Sequence, residues 1–152
     1  MKKFSKVCLG GTFDQIHLGH KSLLEMAFSK SNEVIIGLTS DKRANLDRVN
    51  EALNTYEERY CALDDFLTKT FSGNYSIVQL NDVWGPGIFD KDIEAIVVSE
   101  ETEEVAFELN KNRKLRNLAK LEVVTVPLIM ANDGKKISST RIRRKEIDIN
   151  GI

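Results

Sequence analysis

Five short apolar runs, rich in β-branched residues, recur along the chain with helical patterns between them. The runs are continuous and do not alternate with polar residues, which is typical of strands that are buried on both faces. Such strands form parallel sheets with helices on either side and right-handed crossovers. The sequence therefore predicts a three-layer α/β/α arrangement around a five-stranded parallel sheet. The predicted strands are residues 7–9, 33–38, 75–80, 95–98 and 121–126.

Helical patterns occupy most of the segments between these strands. Helices are predicted over residues 18–29, 55–70 and 102–118, and a short last helix is predicted to begin at Ser138. The second helix opens on Thr55-Tyr56-Glu57-Glu58, the pattern of a capping box. The side chains expected to face the core are Leu23, Leu24, Met26, Ala27, Phe28, Tyr60, Leu63, Phe66, Leu67, Val105, Ala106, Leu109 and Leu115.

The length and composition fit an ordinary globular chain. Its 152 residues suffice for one sizeable core, so residues 1–152 are predicted to form a single domain. No apolar run reaches the roughly eighteen residues of a membrane-spanning helix, and no signal-peptide pattern precedes the first strand. We therefore expect a cytoplasmic protein. Its two cysteines, Cys8 and Cys61, supply neither a disulfide framework nor a CxxC metal site and are expected to be free, buried thiols.

Basic residues are concentrated near the C-terminus although the net charge is only −1. Residues 111–152 contain 11 Lys/Arg and 4 Asp/Glu. This excess fits a small polyanion such as ATP, a nucleic acid, or simply a solvated helix face. The aromatic residues are scattered, so base stacking on RNA is unsupported. We expect neither a nucleic-acid partner nor a membrane partner, and the sequence does not indicate an oligomeric state.

Polar, small and basic residues follow the predicted strands. In open α/β sheets ligands bind beyond the carboxyl ends of the strands. Residues 10–20, 39–43, 99–102 and 132–144 are therefore expected to line one site. The G-x-G-x-x-G, G-x-x-x-x-G-K-[ST] and G-x-S-x-G patterns are all absent, so a dinucleotide fingerprint, a P-loop and an α/β-hydrolase elbow are unsupported.

The two histidines of the chain, His17 and His20, stand three residues apart at the start of the first predicted helix. This spacing puts both rings on one face, and a helix N-terminus favours anions. Gly19 lets a ligand approach the main chain closely. Paired donation to phosphate oxygens fits these features best. Two alternatives are a zinc site, which lacks a third ligand apart from the nearby Asp14, and a purely structural role in packing or capping.

A second polar helix start lies near the C-terminus, in the segment Ile137–Arg143. Its hydroxyl residues Ser138, Ser139 and Thr140 can cap the helix and bind phosphate. Arg143, one helical turn along, can bind a phosphate with two N–H groups at once. The alternative is an N-cap followed by a solvated basic helix, but the histidine pair at the same sheet edge favours a phosphate site.

These two segments carry a family resemblance. Residues 11–14 and 17–20 resemble the GTFDxxHxGH motif of the cytidylyltransferase-like nucleotidyltransferase superfamily, whose HxGH is related to the signature of class I aminoacyl-tRNA synthetases. Residues 137–143 resemble the ISSTxxR motif of that superfamily. Most of the intervening chain is similar to the archaeal/eukaryotic type of phosphopantetheine adenylyltransferase. The resemblance implies a Rossmann-like fold with the strand order 3-2-1-4-5.

The resemblance also implies a reaction. Members of this family transfer AMP from ATP, with Mg²⁺, to 4′-phosphopantetheine, giving dephospho-CoA and pyrophosphate in coenzyme A biosynthesis. Nicotinamide mononucleotide, glycerol 3-phosphate with CTP, and FMN are alternative acceptors within the superfamily. A non-catalytic nucleotide-binding or RNA-binding module is the alternative from another class. A phosphate nucleophile is already ionised at neutral pH, so no general base is expected.

Residue roles follow from the same resemblance. The catalytic residues are expected to be His17, His20, Lys42 and Arg143, with Thr12 and Lys42 on the phosphate of the acceptor. Arg113 is included as a replacement for an arginine that bacterial relatives carry after the fourth strand. Asp14 is expected to stabilise its turn and contact a histidine, and no protein metal site is predicted. The residues expected to bind ATP are Gly11, Thr12, His17, His20, Arg113, Ile137, Ser138, Ser139, Thr140 and Arg143.

Overall fold

The computed structural model describes residues 2–46, 53–82 and 85–152. The elements alternate between strands and helices, with a 3₁₀ turn at Gly85–Ile88 before the fourth strand. The strands are β1 (Phe4–Gly11), β2 (Ser31–Thr39), β3 (Asn74–Leu80), β4 (Ala95–Ser99) and β5 (Glu122–Val126). The helices are α1 (Leu18–Lys30), α2 (Asp41–Asn45), α3 (Tyr56–Thr70), α4 (Glu103–Leu115) and α5 (Ser139–Arg143).

All five predicted strands form one parallel sheet in the order β3-β2-β1-β4-β5, which confirms the expected Rossmann-like topology. In the centre of the sheet Val7 of β1 pairs with Val34 of β2 on one side and Ala95 of β4 on the other. The chain moves outward from β1 to β3 and then crosses back to β4. The strand order therefore reverses between β1 and β4, and a crevice opens beyond their carboxyl ends.

The helices bury narrower faces than their apolar patterns suggest. In α1 the buried side chains are Leu24, Ala27 and Phe28. Two expected core residues, Val105 and Leu115 of α4, are exposed, the latter at 82%. Tyr60 of α3 is also exposed, whereas the preceding residue, Arg59, is buried in the core. The buried residues of α3 and α4 are Arg59, Leu63, Leu67, Ala106, Leu109 and Arg113.

The structure differs from the sequence predictions in two further respects, the exposure of Cys61 and the presence of α2. Cys8 is a buried free thiol as predicted, but Cys61 is exposed on α3 because it lies two residues from both Arg59 and Leu63, on the opposite face of the helix. The short helix α2 was not predicted from the sequence, since five residues are too few to show helical periodicity. No helix within residues 2–46, 53–82 and 85–152 is long and apolar enough to cross a bilayer.

Candidate active site

Two cavities open beyond the carboxyl ends of β1 and β4, and they share part of their lining. The larger has a volume of about 550 Å³ and lies between the segment after β1 and the segment around α5. The smaller, of about 280 Å³, extends toward β2, β3 and α2. Gly10, Gly11, Thr12, Leu23 and Thr102 line both cavities. The two spaces therefore meet at the end of β1, where two ligands could approach each other.

Most of the predicted site residues lie together in the larger cavity. The first motif supplies its lining from the segment after β1, and the second supplies it from α5 and the residues before that helix. These predicted residues are Gly11, Thr12, His17, His20, Ile137, Ser138, Ser139, Thr140 and Arg143. The structure thus brings together two motifs that are more than a hundred positions apart in sequence.

His17 and His20 cap α1 with one nitrogen each. Nδ1 of His17 accepts the N–H of Gly19 at 3.0 Å, and Nδ1 of His20 accepts the N–H of His17 at 3.3 Å. A neutral imidazole carries one proton, so both rings hold that proton on Nε2. Burial lowers the pKa of His17 to about 4. Burial and the neighbouring ring lower the pKa of His20 to about 3, so both are neutral donors at physiological pH.

The glycine between the histidines is required by their packing. The two rings stack with centroids 3.9 Å apart, and a Cβ on Gly19 would lie 2.8 Å from Cε1 of His17. Any larger residue would therefore push His17 away from the N-terminus of α1. Phe13, with φ of 48°, turns the chain sharply before the histidines and packs against the His20 ring at 4.8 Å.

Asp14 joins the two motifs. Its Oδ2 accepts the Nη1 of Arg143 at 2.6 Å, and its Oδ1 accepts the main-chain N–H of Asn54 at 2.8 Å. Nη2 of Arg143 also lies 3.2 Å from the hydroxyl of Thr140. Asp14 was expected to contact a histidine, but its carboxylate instead orients Arg143. This carboxylate has 1% of its surface exposed, so the ion pair is shielded from solvent.

The start of α5 is built as the sequence predicted. The hydroxyl of Ser138 accepts the N–H of Arg141 and caps the helix, while Ser139 Oγ lies 3.4 Å from the carbonyl of Gln15. Ile137 is buried beneath the site with Ala131 and Ile147. This small apolar cluster fixes the hydroxyl residues above it against the segment that follows β1.

Arg43, and not the predicted Lys42, lies at the wall of a cavity. Lys42 is exposed on α2 and lines neither cavity. Arg43 lines the smaller cavity with Thr12 and Thr39, and no hydrogen bond or ion pair engages its guanidinium within the described part of the chain. The predicted lysine is therefore one position from the residue that the fold directs into the cavity. The segment 39–43 was predicted to line the site, but which of its side chains faces the cavity depends on α2, whose five residues are too few to show helical periodicity.

Arg113 does not reach the site. It is 1% exposed and donates to the carbonyls of Gly87, Asp90 and Ala119 at 2.6–3.0 Å. It lines neither cavity. The structure therefore does not bring Arg113 together with the other predicted ATP-binding residues, because its guanidinium donates to main-chain oxygens beside the 3₁₀ turn. The end of β4 and the residues after it do line the larger cavity, through Ser99, Glu101 and Thr102.

The chemistry of the two linings differs. Polar donors dominate the part of the larger cavity near His17, His20 and α5, and its Glu101 is paired with Lys136 at 2.6 Å. The smaller cavity is mostly aliphatic, with Cys8 in its wall. Burial raises the pKa of the Cys8 thiol to about 12, so it is a neutral wall residue and not a nucleophile. Within the described ranges, no cluster of three or more His, Cys, Asp or Glu could hold a metal ion.

The fold and this site define a class of protein. Residues 8–145 match the model of the family described as cytidylyltransferase-like. The chain belongs to this family of nucleotidyltransferases. Among its relatives, a phosphopantetheine adenylyltransferase from Methanothermobacter thermautotrophicus is 42% identical over 97% of this chain and 88% of its own length. A phosphopantetheine adenylyltransferase from Pyrococcus furiosus is 44% identical over 97% of this chain and 92% of its own.

A solved structure supports the fold. The crystal structure of a protein with unknown function from Archaeoglobus fulgidus superposes with a TM-score of 0.73 at 30% sequence identity. The match covers 80% of this chain and 88% of the other. The family resemblance expected from the two motifs is therefore confirmed over nearly the whole chain.

Proposed function

We propose that this protein transfers the AMP group of ATP to 4′-phosphopantetheine, giving dephospho-CoA and pyrophosphate. The observation that carries the proposal is the pair of cavities that meet at Thr12: one is lined by donors suited to a triphosphate, and the other is a largely aliphatic space with Arg43 in its wall. A phosphate on a long, flexible arm fits the smaller cavity. The names of the relatives agree with this assignment.

The larger cavity would hold ATP. His17 and His20 would each donate from Nε2 to phosphate oxygens, in keeping with their occupied Nδ1 atoms. Ser138, Ser139, Thr140 and Arg143 would hold the β- and γ-phosphates. Mg²⁺ would enter as part of the ATP complex, since these side chains are donors that suit phosphate oxygens, whereas the cation takes its ligands from phosphates and water.

The reaction needs no general base. An oxygen of the acceptor phosphate forms a bond to the α-phosphorus, and the bond from that phosphorus to the bridging oxygen breaks. The electron pair leaves with pyrophosphate, and no proton changes hands. Charge grows on the α-phosphate and on the leaving group, so fixed donors that meet this charge without rearrangement supply much of the rate.

A substrate panel tests the proposal. Pyrophosphate release is measured with ATP or CTP against 4′-phosphopantetheine, nicotinamide mononucleotide, glycerol 3-phosphate and FMN, with and without EDTA. We expect rapid release only with ATP, 4′-phosphopantetheine and Mg²⁺ together, and a product with the mass of dephospho-CoA. Faster turnover with any other pair refutes the assignment of the acceptor.

The basic C-terminal third gives a second check. Several of its charges are already paired within the protein, for example Lys136 with Glu101 and Arg141 with Asp133. We expect the remaining excess to serve ATP, so nucleic acids should bind no more tightly than a Kd of about 10⁻⁴–10⁻⁶ M at physiological salt. A nanomolar complex with RNA or DNA would contradict this.

A further inference from the structure

The guanidinium of Arg59 lies at the centre of the hydrogen bonds that join the segments after β1 and β2. The residue is 1% exposed and belongs to α3. Its Nη1 donates to the carbonyls of Thr12 and Thr39, both at 2.9 Å. Its Nε donates to the carbonyl of Asn54 and its Nη2 to Oδ1 of Asp41, both at 3.0 Å. One buried side chain thus fixes three separate main-chain segments.

Two of those segments carry hydroxyls at the junction of the cavities. Oγ1 of Thr39 lies 3.0 Å from Oγ1 of Thr12 and 2.8 Å from the carbonyl of Gly11. Thr12 lines both cavities, and Thr39 lines the smaller one. Because Arg59 holds the carbonyls of these same two residues, it determines where their hydroxyls stand relative to a bound phosphate.

The same network continues into the larger cavity. Asn54, whose carbonyl accepts from Arg59, donates its main-chain N–H and its side-chain Nδ2 to Asp14 at 2.8 and 3.2 Å. Asp14 in turn accepts from Arg143 at 2.6 Å. A connected set of hydrogen bonds therefore runs from the acceptor side of the site to Arg143 of α5.

We propose that Arg59 is a positioning residue for nucleotidyl transfer, holding Thr12 and Thr39 so that the acceptor phosphate meets the α-phosphorus in line. Arg59 lines neither cavity and acts only through these neighbours. The inference rests on the proposed function. Lysine cannot replace arginine here, because a single ammonium lacks the planar fork that reaches carbonyls on different segments.

The test compares Arg59→Lys with Asn110→Ala. Asn110 also bonds main chain, through both the N–H and the carbonyl of Leu121, but it lines neither cavity. Both variants should lose stability. For the folded molecules, we expect Arg59→Lys to lower the kcat of pyrophosphate release about 10²-fold, with a much smaller change in the KM for ATP, since small misplacements of reacting groups cost this much. Asn110→Ala should keep the wild-type kcat.

Asp41→Ala provides a second variant if Arg59→Lys does not fold. The Asp41 side chain is 54% exposed, and its loss removes one partner of Arg59 and should lower kcat about tenfold. A folded Arg59→Lys or Asp41→Ala with wild-type kcat overturns the positioning role. An equal loss of kcat in Asn110→Ala overturns it as well, because stability alone would then explain both.

A threonine-methyl NMR spectrum separates this inference from the proposed function. If the wild-type protein releases no pyrophosphate with ATP and 4′-phosphopantetheine, the proposed function fails, and the methyl resonances of Thr12 and Thr39 become the test. Arg59→Lys should shift both resonances, whereas Asn110→Ala should leave them in place. Unshifted resonances in Arg59→Lys refute the positioning role whatever the substrate.

Discussion

His17 contributes through two different nitrogens, which a substitution can separate. Nδ1 accepts the N–H of Gly19 and caps α1, whereas Nε2 carries the proton that a phosphate would accept. His17→Asn keeps a good N-cap acceptor but has no donor at the position of Nε2. We therefore expect a Tm close to that of wild type and a kcat lower by about 10²–10³. Calorimetry and pyrophosphate release on the same preparation measure both.

Alanine at His20 provides the companion experiment. His20→Ala should lower kcat by about 10²–10³ while the KM for ATP moves much less, because a fixed donor acts mainly on charge that develops in the transition state. A His20 that only packs against Phe13 would instead lower the Tm and leave the turnover of folded molecules intact. Normal kcat in either His17→Asn or His20→Ala would remove that histidine from the catalytic set.

Arg43 and Lys42 form a matched pair of neighbouring cations on α2. Arg43 lines the smaller cavity, whereas Lys42 is exposed outside it. Arg43→Gln should raise the KM for the acceptor at least about tenfold, the scale of one lost charge-assisted hydrogen bond, with little effect on the KM for ATP. Lys42→Gln should change neither. Steady-state kinetics with each substrate varied in turn decides between them, and the reverse ranking would restore Lys42 as the phosphate-binding residue.

The adjacent arginines Arg143 and Arg144, at the C-terminal end of α5, have different surroundings. Arg143 is held by Asp14 and Thr140 inside the larger cavity, whereas Arg144 is exposed. Arg143→Lys keeps the charge but loses the planar fork, so we expect kcat/KM for ATP to fall about tenfold or more. Arg144→Ala should stay within about twofold of wild type. Similar losses in both variants would indicate that α5 contributes only net positive charge.

The elements that could be predicted from the sequence are those with a clear hydrophobic pattern or a clear helix-capping motif. All five strands were found because each contains a continuous apolar run, and α3 begins after Thr55, where the capping box is present in the structure. Helix α2 was missed because its five residues show no period, and the orientation of Arg43 was missed with it. Short elements depend on tertiary contacts that a local pattern does not contain.

The buried arginines show the second limit of sequence reasoning. Arg59 and Arg113 occupy the core-facing strips of α3 and α4, four residues from Leu63 and Leu109 respectively. Their stems replace apolar side chains, and their guanidiniums meet carbonyls from distant segments. A charge on an amphipathic helix is normally assigned to solvent, so Tyr60 was expected in the core instead. That Arg59 and Arg113 are buried becomes clear only from the structure, which places distant carbonyls beside their guanidiniums.

At the scale of the whole molecule, the site could be predicted because the topology itself brings its parts together. Both motifs follow strands, and parallel strands end at the same edge of the sheet. The motif residues His17 and Arg143 therefore line one cavity although they come from opposite ends of the chain. The hydrogen bonds that fix this arrangement run from Arg59 through Asn54 to Asp14. They could not be predicted from the sequence, because these residues do not together form a motif with a recognisable spacing.

The neutral histidine pair makes the stability of the whole molecule depend on pH. Burial lowers the pKa of His17 to about 4 and of His20 to about 3, whereas both regain the usual value of about 6.5 on unfolding. Between these limits the unfolded chain binds more protons, so stability rises with pH and is lost as the pH falls below about 6.5. At pH 5.5 the two histidines should together cost about 2–3 kcal/mol relative to pH 8.

A double variant isolates this contribution from that of the carboxyl groups. His17→Asn combined with His20→Asn has no group that titrates near pH 6.5, while its carboxyl groups match those of wild type. Urea unfolding at pH 8, 6.5 and 5.5 should therefore show a decline in the free energy of unfolding that is steeper in wild type than in the double variant. The difference should approach two bound protons at the lowest pH. If the free energy of unfolding depended on pH equally in the two proteins, the histidines would be protonated in the folded state. That result would contradict the assignment of both rings as neutral imidazoles that donate from Nε2.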